Sequence, residues 1–136
     1  MQATTTTRAT LDGFTRAYIE AMLWAETDNT TEQGGEPLDA NYGLGDIAPE
    51  TLRAIIDDCQ QFQEANRADL ERYNHPRYTW QELGGHDYWL TRNHHGAGYW
   101  DRDCLPDDCG ERLTQAAHNA GELSPYVGDD SLIYLA

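Results

Sequence analysis

TWQELGGHDYWLTRNHHGAGYWDRD, residues 79–103, is the stretch on which the fold turns. Thr79-x-x-Glu82 has the form of a capping box, which predicts a helical turn over residues 80–83. Gly84 and Gly85 then read as a stop. Residues 88–92 are rich in β-formers, residues 93–98 are turn material, and residues 99–101 can return. The expectation is a β-hairpin with a glycine-containing loop. In it Trp89 and Trp100 pack on one sheet face, and Arg92 pairs with Asp101 or Asp87. Gly96 and Gly98 meet the backbone demands of the turn.

Working toward the N-terminus, residues 1–9 are polar and threonine-rich and are expected to be disordered. Residues 10–136 read as a single domain. Thr10 is a candidate cap for a helix running to about Ala25. Leu11, Phe14, Tyr18, Ala21, Met22 and Ala25 recur at helical spacing, against the modest cost of Gly13. Residues 27–47 carry Gly34, Gly35, Pro37, Gly43 and Gly45 and read as one long loop, pinned to the core by Tyr42 and Leu44. Pro49 suits a first helical turn and Glu50 suits the positive end of the helix dipole. A second helix is expected over residues 49–72. Its apolar stripe is Leu52, Ile55, Ile56, Cys59, Phe62 and Leu70, interrupted at Asn66. The position of Cys59 on that stripe makes it a buried structural thiol.

Toward the C-terminus, Pro106 and Asp107 introduce a helix over residues 107–119 that ends near Gly121. Its narrow apolar side is Leu113, Ala116, Ala117 and Ala120, small residues suited to close packing against a sheet. Residues 126–135 read as a second hairpin with its turn at 128–130. The fold class is therefore α+β: helices in the N-terminal half, and a small antiparallel sheet of two hairpins with an intervening helix in the C-terminal half. The chain has no internal repeat.

The charge is the loudest feature of the composition. Among 136 residues, 24 acids face nine basic residues, all arginine, for a net charge of −15. Residues 26–58 hold only one arginine, Arg53, and no lysine or arginine follows Arg112. Such a chain offers little with which to match phosphate, so direct nucleic-acid binding and anionic membrane surfaces are not expected. Acid excess of this kind arises from a high-salt or high-GC source, where it keeps a protein soluble. It also arises in a face that mimics nucleic acid or docks on a basic partner. The three cysteines, Cys59, Cys104 and Cys109, and the polar N-terminus argue against a secreted disulfide scaffold, and the expected location is the cytoplasm of a bacterial or archaeal cell.

Within the opening stretch, His86, Asp87, Trp89, Leu90, Thr91, Arg92 and Asn93 are followed by His95, Gly96, Ala97, Gly98, Trp100, Asp101 and Arg102. This resembles a segment of small uncharacterised proteins of bacteriophages, prophages and plasmids, in which the pattern runs His-Asp-Phe-Trp-Leu-Thr-Arg-Asn, one variable residue, then His-Gly-Ala-Gly-Phe-Trp-Asp-Arg. The tail Tyr126-Val-Gly-Asp-Asp with Ile133-Tyr134 is similar to the ending of those proteins. The resemblance extends over residues 40–136. It departs at His94 and at residues 104–109. It implies a mobile-element origin and, by analogy of class, an inhibitor of a host defence system of the anti-restriction or anti-CRISPR type. The family has no established activity, so the resemblance assigns no catalytic residue.

Three chemistries compete for the charged and aromatic residues. His86, His94, His95, Asp87, Asp101, Asp103, Cys104 and Cys109 fall within 24 residues and include zinc-ligand types, but their spacing matches no standard zinc module and no metal is assigned. His86 with Asp87, Arg92, Asn93, His95, Asp101 and Arg102 forms a candidate ligand hairpin, the basis of an alternative reading as a small enzyme or ligand-binding protein. No nucleophile elbow, phosphate loop or dinucleotide fingerprint accompanies it. The third chemistry is an acidic docking surface made of Glu32, Glu36, Asp39, Asp46, Asp57, Asp58, Asp107 and Asp108, with Tyr42 as a hot spot. Beside these stands a passive accessory role, in which exposed Trp80, Tyr88 and Tyr99 supply a peptide- or protein-binding hairpin face. The reading adopted is a protein that acts by binding a host complex with a basic surface, without catalysis and without a cofactor.

Overall fold

The computed structural model describes residues 11–136, so the expected disordered start and the candidate cap Thr10 lie outside the described residues. Helix α1, Gly13–Ala25, is capped instead by Asp12, whose carboxylate accepts from Thr15 N at 2.8 Å. The expected stripe holds: Phe14, Tyr18, Ala21 and Met22 are buried.

The segment read as one long loop has structure of its own. Strand β1, Thr27–Asp28, pairs antiparallel with β2, Glu36–Pro37. The organiser is Asp28, which is enclosed completely and accepts from Thr30 N, Thr30 Oγ1 and Asn41 Nδ2. A buried aspartate that gathers three donors replaces the backbone bonds a loop lacks. Tyr42 and Leu44 pack against the core as expected.

Helix α2, Pro49–Leu70, opens with Pro49 in its first turn and buries Leu52, Ile55, Cys59, Phe62 and Leu70. It kinks at Asn66, whose backbone leaves the helical region at φ −123° and ψ 17°. There the side-chain amide donates to Phe62 O at 2.9 Å and competes with the helical ladder.

Helix α3, Trp80–Arg92, corrects the reading of residues 79–103. The capping box exists, with Thr79 Oγ1 accepting from Glu82 N and Glu82 returning a carboxylate to Thr79 N. The helix does not stop at Gly84 and Gly85, however, and residues 86–92 continue it. No first hairpin forms: a single-turn 3-10 helix, Tyr99–Asp101, follows α3 after a short loop. Trp89 is fully buried while Trp100 is exposed, so the two share no face.

The physical reason is the packing of α1. Residues 84, 85 and 87–92 are all buried, so beyond the open side formed by Glu82, Leu83 and His86 the helix shows no polar face from which a helical period could be read. A Cβ on Gly84 would lie 3.1 Å from Phe14 and Leu70 side chains, and one on Gly85 would lie 1.9 Å from the Phe14 carbonyl oxygen. The two glycines are where α1 backs onto α3. Their helix penalty, about 1 kcal/mol each, is offset by close packing that any side chain would prevent.

Helix α4, Cys109–Ala120, packs on α2, α3 and the 99–101 turn, not on a sheet as its small residues led us to expect. The C-terminal hairpin forms as read: β3, Pro125–Val127, pairs antiparallel with β4, Ile133–Leu135, and Tyr126 stacks across it on Tyr134 at 5.6 Å. The start of α2 is tied to this hairpin by Ala48 N donating to Ile133 O at 3.0 Å. The architecture is thus α+β, mostly helical, with two small two-stranded antiparallel sheets among the described residues. An aromatic cluster fills the centre: Phe62 stacks on Tyr88 at 3.9 Å, and the Tyr18 ring meets Trp89 edge-on at 5.3 Å. Among the described residues, no helix is long and apolar enough to cross a membrane.

Candidate functional site

The seven residues read as one ligand hairpin are divided among four places. His86 and Arg102 face a cleft of about 590 Å³ between α1 and α3. One wall comes from Arg16, Ala17 and Glu20 of α1, at one-turn spacing, and the other from Glu82, Leu83 and His86 of α3. His75, Tyr78 and Cys104 close it.

Asp87 stands behind this cleft, completely buried. Its carboxylate accepts from Arg102 Nε at 2.8 Å, from Arg102 Nη2 at 2.6 Å and from Tyr73 Oη at 2.6 Å. The bidentate fork fixes the guanidinium plane. The hydrogen bonds to Asp87 push the Arg102 pKa upward and hold it charged. Burial raises the Tyr73 phenol, so it remains a donor. His86 behaves in the opposite sense: burial holds its pKa below the ordinary 6.5, although Asp87 and Glu20 pull it up.

Arg92 belongs to the core and not to the cleft. Its Nη1 donates to Asp58, to Tyr18 Oη at 3.1 Å and to Tyr88 Oη at 3.2 Å. Its Nε and Nη2 donate to Gly121 O at 2.8 Å and Ala120 O at 3.0 Å, which satisfies the last carbonyls of α4. The expected partners, Asp87 and Asp101, are therefore both wrong. Asp101 is exposed on the 99–101 turn, and Asp87 is engaged by Arg102.

Asn93 and His95 sit at the far end of α3. Asn93 accepts from Leu123 N at 2.8 Å. His95 Nε2 lies 2.7 Å from Glu26 Oε2, which also accepts from the buried Trp89 indole at 2.9 Å. They border a shallower depression of about 360 Å³ with Glu122 and Ser124. His94 stacks on His118 at 4.3 Å and faces Glu122 at 3.5 Å. Among the described residues, no three His, Cys, Asp or Glu side chains come together as metal ligands.

Of the acidic docking candidates, Glu32, Glu36, Asp39, Asp57, Asp107 and Asp108 are exposed. Asp46 is partly committed to Gly43 N at 2.8 Å, and Asp58 to the buried Arg92. The acids do not form one patch. Asp46 lies just before α2, whereas Asp107 pairs at 3.2 Å with Arg72, just after its end. The 22 residues of α2 span about 33 Å between them. Two of the three aromatics read as exposed are core residues, with Tyr88 at 1% and Tyr99 at 0% exposure. Trp80 is half-buried beneath the Arg67 guanidinium at 5.1 Å. The exposed large hydrophobics are instead Trp24, Tyr78, Trp100 and Tyr126.

Arg16, Glu20, Trp24, Tyr73 and Tyr78 were missed as site residues. Arg16, Glu20 and Trp24 recur at four-residue spacing on α1, a polar-aromatic face legible in the sequence. Tyr73 has no such signal, because only the tertiary fold brings it to Asp87. No protein-family model, no curated protein and no solved structure matches the chain.

Proposed function

We propose that this protein acts by binding, its acidic surface docking on the basic surface of a nucleic-acid-binding complex, with inhibition of a host defence system as the biological setting. The observation that carries this reading is how the two signs of charge are used. Arg67, Arg72, Arg92, Arg102 and Arg112 each lie against a carboxylate of this same chain. Glu32, Glu36, Asp39, Asp57 and Asp108 are exposed, and among the described residues none of them has an ion-pair partner. Five of the eight described arginines are matched by carboxylates of the chain, and only Arg16, Arg53 and Arg77 are exposed outside these pairs, so unpaired acid outweighs unpaired base at the surface and leaves a field suited to basic partners. With acids at both ends of α2, the reading calls for an extended basic surface and not for one basic pocket.

The test is capture from a bacterial lysate at low and high salt, with the wild type and a Glu32→Lys/Glu36→Lys/Asp39→Lys variant side by side. The expected result is a nucleic-acid-binding complex held by the wild type at low salt, released at high salt and absent from the variant. Addition of the wild-type protein should also lower that complex's affinity for nucleic acid. Capture that ignores both salt and charge reversal overturns the reading.

A further inference from the structure

The cleft between α1 and α3 has no part in an acidic docking surface, yet it holds the features of a ligand site. Its volume, about 590 Å³, lies within the range of small-molecule sites. One of the exposed large aromatics lines it, and a second reaches it through His86. Tyr78, 52% exposed, lines it and packs on His75 at 5.2 Å. Trp24, 59% exposed, lies one turn beyond Glu20 on α1 and packs on His86 at 6.0 Å. Exposed aromatic rings gathered around a concavity favour a flat apolar guest, and Ala17 and Leu83 supply apolar wall between them.

The polar groups are equally specific. In a chain of net charge −15, this cleft gathers two guanidinium groups, Arg16 and Arg102. Arg102 is fixed by Asp87 through two of its five N–H groups, which leaves three for another acceptor. Arg16 is exposed and, among the described residues, has no carboxylate partner. Of the acids in the lining, Glu82 already accepts from Thr79 N and Oγ1, which leaves Glu20 as the freer one. The neutral imidazole of His86 adds a further donor or acceptor.

We propose that this cleft binds a small organic anion, a planar ring carrying a phosphate or carboxylate, with the ring against the aromatic border and the anionic head on Arg102 and Arg16. The forked, oriented guanidinium suits such a head group.

The test is titration with phenyl phosphate, benzoate and inorganic phosphate, followed by Trp fluorescence and by the His86 ring signals in NMR. Phenyl phosphate or benzoate should bind at least about tenfold more tightly than inorganic phosphate and shift His86; comparison of the two identifies the preferred head group. Arg16→Gln and Tyr78→Ala alter exposed side chains, so the fold is expected to survive, and each should weaken binding about tenfold. The Glu32→Lys/Glu36→Lys/Asp39→Lys variant should bind as the wild type does, which separates this site from the docking surface. Absence of any response at millimolar aromatic anion overturns the proposal. So does binding that is equal for inorganic phosphate and indifferent to Arg16→Gln and Tyr78→Ala.

Discussion

Gly85 lies so close to Phe14 that a Cβ built on it would fall 1.9 Å from the Phe14 carbonyl oxygen. This contact sets the approach of α1 to α3 and with it the cleft between them. The clash is with backbone, so no rotamer change relieves it. Gly85→Ala should therefore destabilise the protein by about 3 kcal/mol or more, where an ordinary helical Gly→Ala change would stabilise it. Gly96→Ala meets nothing within 4 Å and should stay within about 0.5 kcal/mol of the wild type. Urea denaturation of the two variants checks the contrast.

Arg92 joins α3 to α1, α2 and the end of α4 through one guanidinium. Arg92→Met removes the bonds to Asp58, Tyr18, Tyr88 and the α4 carbonyls together. The expected loss is about 3–5 kcal/mol. Asp58 is partly exposed and can regain water once Arg92 is gone, whereas Asp58→Asn leaves the buried Arg92 guanidinium without its counter-charge and should cost a comparable amount. The double variant should be more stable than the sum of the two losses predicts, and a double-mutant cycle measures that coupling.

Tyr73→Phe removes only the hydroxyl that donates to the buried Asp87 carboxylate. The expected cost is about 1.5–3 kcal/mol, as for a hydrogen bond to a charged group. Asp87→Asn leaves Arg102 without its counter-charge and should cost more, about 3 kcal/mol or above. Thermal unfolding of both variants orders the two effects.

Acid should destabilise the protein in two stages. His86 folds in a site where burial keeps its pKa below 6.5, so the unfolded chain takes up a proton first. Its contribution is complete above about pH 6.5 and declines as pH falls through the folded value. Asp69 is held below 3.8 by the Arg112 hydrogen bonds. Asp12 is also held below 3.8: burial alone would raise it, but the bonds from Thr15 and Gln63 and the charge of Arg67 outweigh that. These two carboxylates stabilise above about pH 4 and are lost as pH falls below it. The urea midpoint against pH should show both declines, and His86→Gln should flatten only the upper one.

The parts of the fold that could be read from sequence are those whose signals are local. The stripe on α2, the Thr79–Glu82 capping box, the helix ending at Gly121 and the hairpin turning after Gly128 depend on residues within a few positions of one another. The continuation of α3 beyond Gly84 was not legible. A helix buried on nearly all sides carries no polar-apolar period, and glycine carries no record of whether it ends a helix or admits a neighbour. The candidate site followed the same division. His86 and Arg102, singled out in the sequence, both line the cleft, but Asp87 serves Arg102 and Arg92 serves Asp58, partners 15 and 34 positions away.

Composition and local pattern therefore determined the class of the protein: mixed α+β, with four α-helices among the described residues, of which three were recognisable, and with acid far in excess of base. Such properties follow from side-chain chemistry and short-range periodicity. Tertiary structure alone decided that residues 86–92 are helix, that Arg92 and Arg102 are engaged within the molecule, and that Arg16, Tyr78 and His86 share one cleft. Those outcomes depend on which backbones approach closely, and the approach of α1 to α3 is set by the space that two missing side chains leave at Gly84 and Gly85.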